Sequence, residues 1–259
     1  MKQPELWFCD YNKKYEGPEP YFFPEREIEV AQFLEHNHQA LQNELKVLWE
    51  YNSVNAADAF GNYDSFDDKQ FPPRSWQKMV FKVWGLKNKR NCDRFPITAS
   101  IIKKFPAVSS CFVTKTSPGS VIKPHCGETN AHLRIHLGLH VPEVASSVCG
   151  MEVGNETTGW QSGKTFAFLD GHHHHVWNNS DADRYVLIVD LIRPEFASRR
   201  NFIYARVIVS QMFFYFTSLM KISKLHLVPS TFLDIVTYVL YLPVQLMIQL
   251  NNRIGFIKL

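Results

Sequence analysis

Histidine and arginine residues gather at two separate points of this chain, with a spacing that can support metal and anion binding. The first group contains His125, Arg134 and His136, and the second contains four histidines at 172–175 followed by Arg184. Neutral imidazole is a ligand for iron, zinc, copper and nickel, and histidines from separated strands can hold one ion. A buried guanidinium needs a partner, and a carboxylate held by two hydrogen bonds suits it. The pattern predicts a metal ion beside an anionic ligand.

The residue two positions after His125 departs from the usual non-heme iron site. Such a site commonly adds a carboxylate to its two histidines, and here Gly127 stands at the expected position. If iron binds, this slot is open to water, and a dianionic cosubstrate can offset the charge of an iron(II) ion. Neighbouring residues of a strand alternate faces, so Cys126 should point away from the metal if the segment is extended.

Periodicity alone does not select the ligand within the histidine run. On a strand, His172 and His174 share one face while His173 and His175 share the other. A surface metal-binding tract is an alternative interpretation of the run. For the arginines, the alternative is a structural ion pair at the rim of the β unit, for which Asp190 could serve as the partner.

Short alternating segments surround both groups and predict the elements that position them. Residues 132–141 alternate strictly, with Leu133, Ile135, Leu137 and Leu139 on one face and Arg134, His136 and His140 on the other. Further short strands are predicted at 110–116, 148–153, 165–169, 173–177 and 184–191. Many short strands separated by turn signals indicate a sandwich, jelly roll or barrel.

The residues before this block predict supporting structure. The segments are an extended arm at 1–24, an amphipathic helix at 25–52 broken near His36–His38, a loop at 53–73 that would roof a groove, a strand around Met79–Val83, a basic turn at 87–90, and a short helix at 95–105.

The tail from residue 201 to 259 is apolar. Residues 207–220 carry no charge, and residues 231–250 reach the length of a membrane span, although Asp234 and Pro243 count against a span. Basic residues flank both segments, as is usual near anionic lipid. Two helices packed against the β unit or against a dimer partner are the alternative.

Composition restricts the class of protein. Of 259 residues, 45% are hydrophobic and 14% aromatic, which indicates a real core. A net charge of +3 without a long basic run gives no indication of nucleic-acid binding. The five cysteines form no CxxC pair, so we expect neither a disulfide framework nor a zinc knuckle. We expect instead a protein of a reducing compartment. The first residues lack the apolar stretch of a signal peptide, so we expect a protein that is not secreted.

Two stretches of the sequence carry a resemblance to a known family. These are SPGSVIKPHCGETNAHLRIHLGLHVP and CGMEVGNETTGWQSGKTFAFLDGHHHHVWNNSDADRYVLIVDLIRPEF. The string P-H-x-G-x-T-N-x-x-L-R-x-H-L-G-L, the G-K-x-x-x-F-x-D segment, the H-x-V-W element, the arginine ten residues later and the closing V-D-x-x-x-P-E resemble the aspartyl/asparaginyl β-hydroxylase family. The resemblance covers residues 105–196, with weaker similarity from about residue 70.

The resemblance implies an iron(II)- and 2-oxoglutarate-dependent dioxygenase on a double-stranded β-helix, a cupin-like jelly roll. Its two iron-binding histidines fall on His125 and His174, and the family also has glycine at position 127. Its 2-oxoglutarate-binding residues fall on Arg134, His136 and Arg184. A Ser and a Met of the family that also touch the cosubstrate correspond to Thr114 and Thr116, the second being a departure. With O2, the cosubstrate would be decarboxylated to succinate while an unactivated carbon is hydroxylated.

The expected organisation is an arm with helical and strand support at 1–105, the catalytic β-helix at 106–200 and the apolar helical tail at 201–259. The expected activity is hydroxylation of the β-carbon of Asp or Asn in a peptide or protein. A lipid A acyl-chain hydroxylase, as found in the same family, is an alternative substrate class. A non-catalytic β-helix binding module and a membrane-associated scaffold are alternatives of other classes. The tail favours membrane association, at the cytoplasmic face.

Overall fold

The computed structural model describes residues 4–10, 14–50, 61–62, 76–221 and 228–257. The strands are β1 (Phe22–Phe23), β2 (Gly61–Asn62), β3 (Trp76–Val83), β4 (Leu86–Lys87), β5 (Val108–Thr116), β6 (Ser120–His125), β7 (His132–His140), β8 (Cys149–Val153), β9 (Glu156–Gly159), β10 (Thr165–Leu169), β11 (His174–Asn178) and β12 (Arg184–Ile192). The helices are α1 (Glu29–His36), α2 (His38–Leu45), α3 (Val47–Glu50), α4 (Lys89–Arg94), α5 (Pro96–Lys104), α6 (Arg200–Leu219) and α7 (Ser230–Ile254). Two 3₁₀ turns lie at Glu25–Glu27 and Pro194–Arg199.

The strands form two antiparallel sheets. The larger has eight strands in the order β1-β10-β7-β12-β5-β3-β2, with β4 paired to β3, and the smaller has four in the order β6-β11-β8-β9. An apolar cluster that includes Phe112, Met151, Phe168 and Ile188 lies between the sheets. The predicted fold class, a mainly β jelly roll with flanking helices, is confirmed.

The predicted alternation of β7 explains how the large sheet is buried on both faces. Ile135, Leu137 and Leu139 are at most 1% exposed and pack with residues of α1, α2 and α5 in one core cluster. Arg134 and His136 lie on the opposite face, toward the small sheet. One strand thus supplies a hydrophobic core on one side and polar groups on the other.

Most of the supporting elements agree with the predictions. The predicted helix at 25–52 is three short helices, α1 to α3, interrupted at Asn37 and Lys46. The turn predicted at 87–90 is wrong, because the chain reverses at Trp84 and Gly85, both with positive φ, and Lys89 already opens α4. The Asn88 side chain accepts a hydrogen bond from the Asn91 amide and caps that helix. The predicted loop at 53–73 lies outside the described residues, apart from Gly61 and Asn62.

The two C-terminal helices pack on each other and on the β unit, beside the turn after β3. Ile203 and Tyr204 of α6 join Val244 and Ile248 of α7 in one cluster with Trp84. The opposite face of α7 is exposed and apolar; we call it the apolar face, and it consists of Ile235, Tyr238, Val239, Leu242, Leu246 and Ile254. Within the described residues, α7 is the one helix long and apolar enough to cross a membrane.

A buried ion cluster attaches these helices to the rest of the protein. Arg206 of α6 is fully buried, and its guanidinium bonds Asp10 of the N-terminal arm at 2.6 Å and Asp234 of α7 at 2.7 Å. Asn251 and Asn252 near the end of α7 donate to the backbone carbonyls of Lys87 and Gly85. The alternative considered from the sequence, tail helices packed against the β unit, holds for one face of α7.

Candidate active site

The polar residues singled out from the sequence surround one cavity between the two sheets. His125 ends β6 and His174 begins β11, and strand pairing sets the two residues opposite each other. The cavity has a volume of about 60 Å³. Its walls are Trp76, Thr114, Ile122, His125, Arg134, His136, Met151, Trp160, Phe168, His174, Val176, Arg184, Val186 and Ile188. Of the predicted site residues, Thr116 alone lies outside this lining.

The imidazoles of His125 and His174 are oriented by their own backbone. Their ring centroids are 4.2 Å apart. Nδ1 of His125 lies 2.8 Å from the Lys123 carbonyl oxygen, and Nδ1 of His174 lies 2.9 Å from that of His172. A carbonyl can only accept, so each Nδ1 carries the proton and each Nε2 carries the lone pair that a metal needs.

Both histidines are held neutral. Burial, reinforced by the nearby His125, lowers the pKa of His174 to about 3. Burial also lowers the pKa of His125. At neutral pH the two rings are therefore in the form that binds metal, without the cost of deprotonation.

The other histidines of the run lie elsewhere. Nε2 of His172 lies 3.0 Å from the Glu19 carbonyl oxygen, and its ring packs edge-on against Tyr21. His175 faces Glu152 at 3.9 Å and contacts the Trp177 ring. Among the four, His174 is the one that lines the cavity. Its role as a ligand is a prediction that this position supports.

Asp170 is a site residue that the sequence reasoning missed. Its carboxylate is fully buried, and Oδ1 lies 3.5 Å from Nε2 of His174. A Cβ placed on Gly127 would lie 1.6 Å from Oδ2 of Asp170. The space that a carboxylate side chain at position 127 would need is thus occupied by the carboxylate of Asp170, from the turn after β10. The signal was an aspartate four residues before His174, in a turn without periodicity.

Arg134 is paired inside the protein. Its Nε and Nη2 bond the two carboxylate oxygens of Asp190 at 2.7 and 3.0 Å, and its Nη1 bonds Asp170 at 2.6 Å. The ion pair with Asp190 considered from the sequence is present, and Asp170 is a second partner. Burial alone would raise the pKa of Asp170, but Arg134 and His132 outweigh it and hold that pKa well below its usual range.

Arg184, by contrast, is a buried cation that bonds no carboxylate among the residues that the structure describes. Its Nη2 donates to Thr116 Oγ1 at 2.8 Å, its Nη1 lies 3.7 Å from the Cys149 sulfur, and its guanidinium carbon lies 3.7 Å from the centroid of Trp160. Its Nε finds no hydrogen-bond acceptor within the same part of the chain. Burial lowers the pKa of Arg184 to about 10. Thr116 therefore positions the arginine, while Thr114, whose hydroxyl lies 3.4 Å from the Val186 carbonyl, lines the cavity.

His136 adds a second unsatisfied donor. The Trp160 indole donates to Nδ1 of His136 at 3.2 Å, so the proton of the neutral ring is on Nε2. That nitrogen is buried and has no partner in the described ranges. Two N–H donors without acceptors, one on a cation, line the same cavity, and such groups are costly unless a ligand satisfies them. An anion with several oxygen acceptors fits this end of the site.

The donor set also fits a metal ion of limited protein ligation. The described ranges contain no group of three or more His, Cys, Asp or Glu residues able to hold a metal together. Two neutral imidazoles with oriented Nε2 atoms, an ionised carboxylate nearby and an anion site across the cavity suit a divalent metal ion that the protein ligates only in part.

A family model described as Aspartyl/Asparaginyl beta-hydroxylase matches residues 35–194, more than half of the chain. The human protein named aspartyl/asparaginyl beta-hydroxylase is 32% identical over 131 residues, which are 49% of this chain and 17% of the human one. An ornithine lipid ester-linked acyl 2-hydroxylase of Rhizobium tropici is 34% identical over 119 residues, 46% of this chain and 42% of that protein.

Aspartate beta-hydroxylase domain-containing protein 2 of mouse is 29% identical over 191 residues, 69% of this chain and 52% of that one. A prolyl-4-hydroxylase structure from Pseudomonas putida covers 68% of this chain and 90% of its own, with 14% identity and a TM-score of 0.38. The match to this chain thus spans about half or less of each of these curated relatives. On the strength of the family model, the chain belongs to the aspartyl/asparaginyl beta-hydroxylase family.

Proposed function

We propose that the protein is an iron(II)- and 2-oxoglutarate-dependent dioxygenase that hydroxylates an unactivated carbon. The observation that carries this proposal is the juxtaposition in one cavity of the His125–His174 pair with Arg184, a buried cation whose Nε has no partner among the described residues. Membership of a hydroxylase family supports it. Iron(II), 2-oxoglutarate and O2 would supply the oxidation chemistry that no protein side chain has.

The side chains of the cavity have distinct parts in this proposal. His125 and His174 hold the metal through Nε2, with the carbonyls of residues 123 and 172 fixing both rings. Arg184 binds the far carboxylate of 2-oxoglutarate, because an arginine can give a carboxylate two parallel hydrogen bonds. Nε2 of His136 donates to the same cosubstrate.

Asp170 and Arg134 set the charge beside the metal. Asp170 stays ionised because Arg134 neutralises it, and its carboxylate, 3.5 Å from Nε2 of His174, would offset part of the charge of a metal ion held there. The guanidinium of Arg134 lines the cavity and is held by two carboxylates, Asp190 and the Asp170 that lies near His174. We therefore assign Arg134 to the end of the cavity near the two histidines, where it contacts the cosubstrate or the substrate. Met151, Phe168 and Val176 make the remaining wall apolar and exclude bulk water.

A measurement of succinate release tests this function, and alanine variants of the histidines next to His174 serve as controls. In the presence of iron(II), ascorbate and 2-oxoglutarate, His174→Ala should abolish succinate formation. His173→Ala and His175→Ala should retain most of it, since neither residue lines the cavity. If His172→Ala abolished succinate formation while His174→Ala remained active, the proposed ligand assignment would be overturned. A wild-type protein that neither binds 2-oxoglutarate nor releases succinate would favour a non-catalytic binding module.

For the substrate, we propose the β-carbon of Asp or Asn in a peptide or protein. The family name and the human relative named a beta-hydroxylase support this class. The expected product is a peptide heavier by one oxygen atom, found by mass spectrometry after incubation of candidate peptides with the active enzyme.

A lipid acyl chain is the second candidate, favoured by the apolar face of α7. The Rhizobium relative is named as an acyl hydroxylase of a lipid. Lipid extracts incubated in parallel with the peptides would distinguish the two classes, because the added oxygen would then appear in an acyl chain.

We further propose that the tail associates with the cytoplasmic face of a membrane by lying on it. Tyr238, Val239 and Leu242 are 68–74% exposed, whereas Leu233 and Thr237 on the other face of α7 are fully buried. Asp234 is bonded to the buried Arg206, so moving α7 into a bilayer would strip the arginine of this partner. A helix that stays docked and presents one apolar face is suited to the interface of a membrane.

A further inference from the structure

Cys9 and Cys126 lie side by side in the fold although 117 positions separate them in the sequence. Their sulfur atoms are 2.8 Å apart. Both residues are half-buried. Cys126 immediately follows His125, and Cys9 belongs to the N-terminal arm. The other three cysteines are Cys92, Cys111 and Cys149, the last two of which are buried.

The backbone around both cysteines is fixed by several contacts, so their approach does not depend on the thiols alone. The amide of Cys9 donates to the Glu128 carbonyl at 2.9 Å, and Phe8 forms an antiparallel bridge with Thr129. The Trp7 amide donates to Oδ1 of Asn130 at 2.9 Å. Three successive residues of the arm are therefore bonded to the segment that follows the first histidine.

The arm is also anchored on its other side. Asp10 bonds the buried Arg206 of α6 at 2.6 Å. Cys9 thus sits between a β-bridge and a buried ion pair, which keeps its sulfur beside Cys126. A disulfide needs a sulfur–sulfur distance of about 2.05 Å, so closing the present gap requires a shift of less than about 1 Å.

We propose that Cys9 and Cys126 form a reversible redox site, whose disulfide fastens the N-terminal arm to the loop that carries His125. A small-molecule disulfide such as oxidised glutathione serves as the oxidant. One thiol attacks it, forming a mixed disulfide and releasing one reduced glutathione; the second thiol then displaces the other. In sum, two protein thiols and one glutathione disulfide yield one protein disulfide and two reduced glutathiones.

This site is compatible with a reducing compartment, because it is a single half-buried pair and not a structural framework. Whether such a pair is oxidised depends on its reduction potential relative to that of the compartment. The inference rests on the geometry of the arm and the loop, and it stands whether or not the proposed dioxygenase activity is correct.

The cross-link should also stabilise the protein, because it closes a loop of more than one hundred residues. Such a link removes conformational freedom from the unfolded chain and so favours the folded state. For a domain of this size we expect the melting temperature to rise on the order of 5–10 °C on oxidation, and the rise to vanish on addition of dithiothreitol.

The test is peptide mapping of the full chain without reduction, after incubation with oxidised glutathione. A linked pair of peptides containing positions 9 and 126 is expected, lighter by two hydrogens than the separate peptides and cleaved by dithiothreitol. Cys9→Ser and Cys126→Ser should each abolish both the link and the thermal shift. Cys92→Ser is the matched control, a half-exposed cysteine elsewhere in the fold, and should leave both unchanged.

Two results would overturn the proposal. One is wild-type protein that accumulates mixed glutathione disulfides at positions 9 or 126 and no protein cross-link. The other is a cross-link that involves a different pair of cysteines. The wild-type map decides the matter even if Cys126→Ser fails to fold, and Cys9→Ser changes only the arm.

Discussion

Replacing Arg184 with methionine should separate ligand binding from stability. Arg184 is buried, and within the part of the chain that the structure describes it interacts with Thr116, Cys149 and Trp160 but not with a carboxylate. Methionine of similar length removes the charge and leaves the cavity wall apolar. The lost hydrogen bond and ring contact are offset by the relief of a buried, incompletely solvated cation. The free energy of unfolding of the ligand-free protein should therefore change by no more than about 1 kcal/mol.

Binding of 2-oxoglutarate should respond very differently. Loss of a buried pair between an arginine and a carboxylate costs about 3–4 kcal/mol, and every 1.4 kcal/mol is a factor of about ten in affinity. The dissociation constant for 2-oxoglutarate should rise by roughly 10²–10³. Arg184→Lys keeps the charge but loses the two parallel hydrogen bonds, so its dissociation constant for 2-oxoglutarate should lie between those of wild type and Arg184→Met.

Arg134→Met is the matched control, because Arg134 is held by two internal carboxylates. Its removal leaves Asp170 and Asp190 buried without their shared cation and should cost about 3–5 kcal/mol of folding free energy. Calorimetric titration and urea unfolding measure the two quantities. The reasoning is refuted if Arg184→Met unfolds as readily as Arg134→Met while its affinity for 2-oxoglutarate stays within a few-fold of wild type.

Three further predictions follow from the contacts. Gly127→Ala should lower the free energy of unfolding by about 1–3 kcal/mol in urea unfolding, because the new Cβ would collide with the Asp170 carboxylate, and a neutral effect would contradict the position of Asp170. The pKa of His174 is lowered to about 3 in the folded protein from 6.5, so the unfolded chain binds the extra proton first. The contribution of neutral His174 to the free energy of unfolding is complete above pH 6.5 and is lost as pH falls toward 3, at about 1.4 kcal/mol per pH unit. Between pH 6.5 and 5, the free energy of unfolding in urea should therefore fall less steeply with pH for His174→Gln than for wild type. Equal slopes for the two proteins would refute the assignment. Leu242→Asp should weaken flotation with anionic vesicles several-fold, whereas Val144→Asp, an exposed apolar residue away from the tail helices, should not; equal flotation of both would exclude the apolar face of α7 as the contact.

Local pattern was enough to predict the frame of the site. The strict alternation of β7 predicts that Arg134 and His136 share a face, because side chains alternate along a strand and the leucines require the other face. The same rule separates His174 from its immediate neighbours, and the resemblance then favours His174 over His172. Strand β6 was missed because Lys123 and Pro124 interrupt its alternation just before His125.

Contacts between distant segments could not be predicted in the same way. Asp170 lies in a turn, where no period indicates which way its side chain points, and its pairing with Arg134 depends on the register of β10 against β7. The approach of Cys9 to Cys126 likewise depends on where the N-terminal arm docks, which no local pattern encodes. Gly127 was noticed as an absent carboxylate, but the structure adds that Asp170 occupies the space beside its Cα.

Anaerobic titration of 2-oxoglutarate into the iron(II)-loaded protein, with metal content measured on the same sample, tests whether the cavity holds a metal and an anion together. We expect one iron and one 2-oxoglutarate bound per chain, with both lost in His174→Ala and with 2-oxoglutarate alone lost in Arg184→Met. Equal affinity for 2-oxoglutarate with and without the metal, or undiminished iron binding by His174→Ala, would contradict a metal held by His125 and His174 beside an anion held by Arg184.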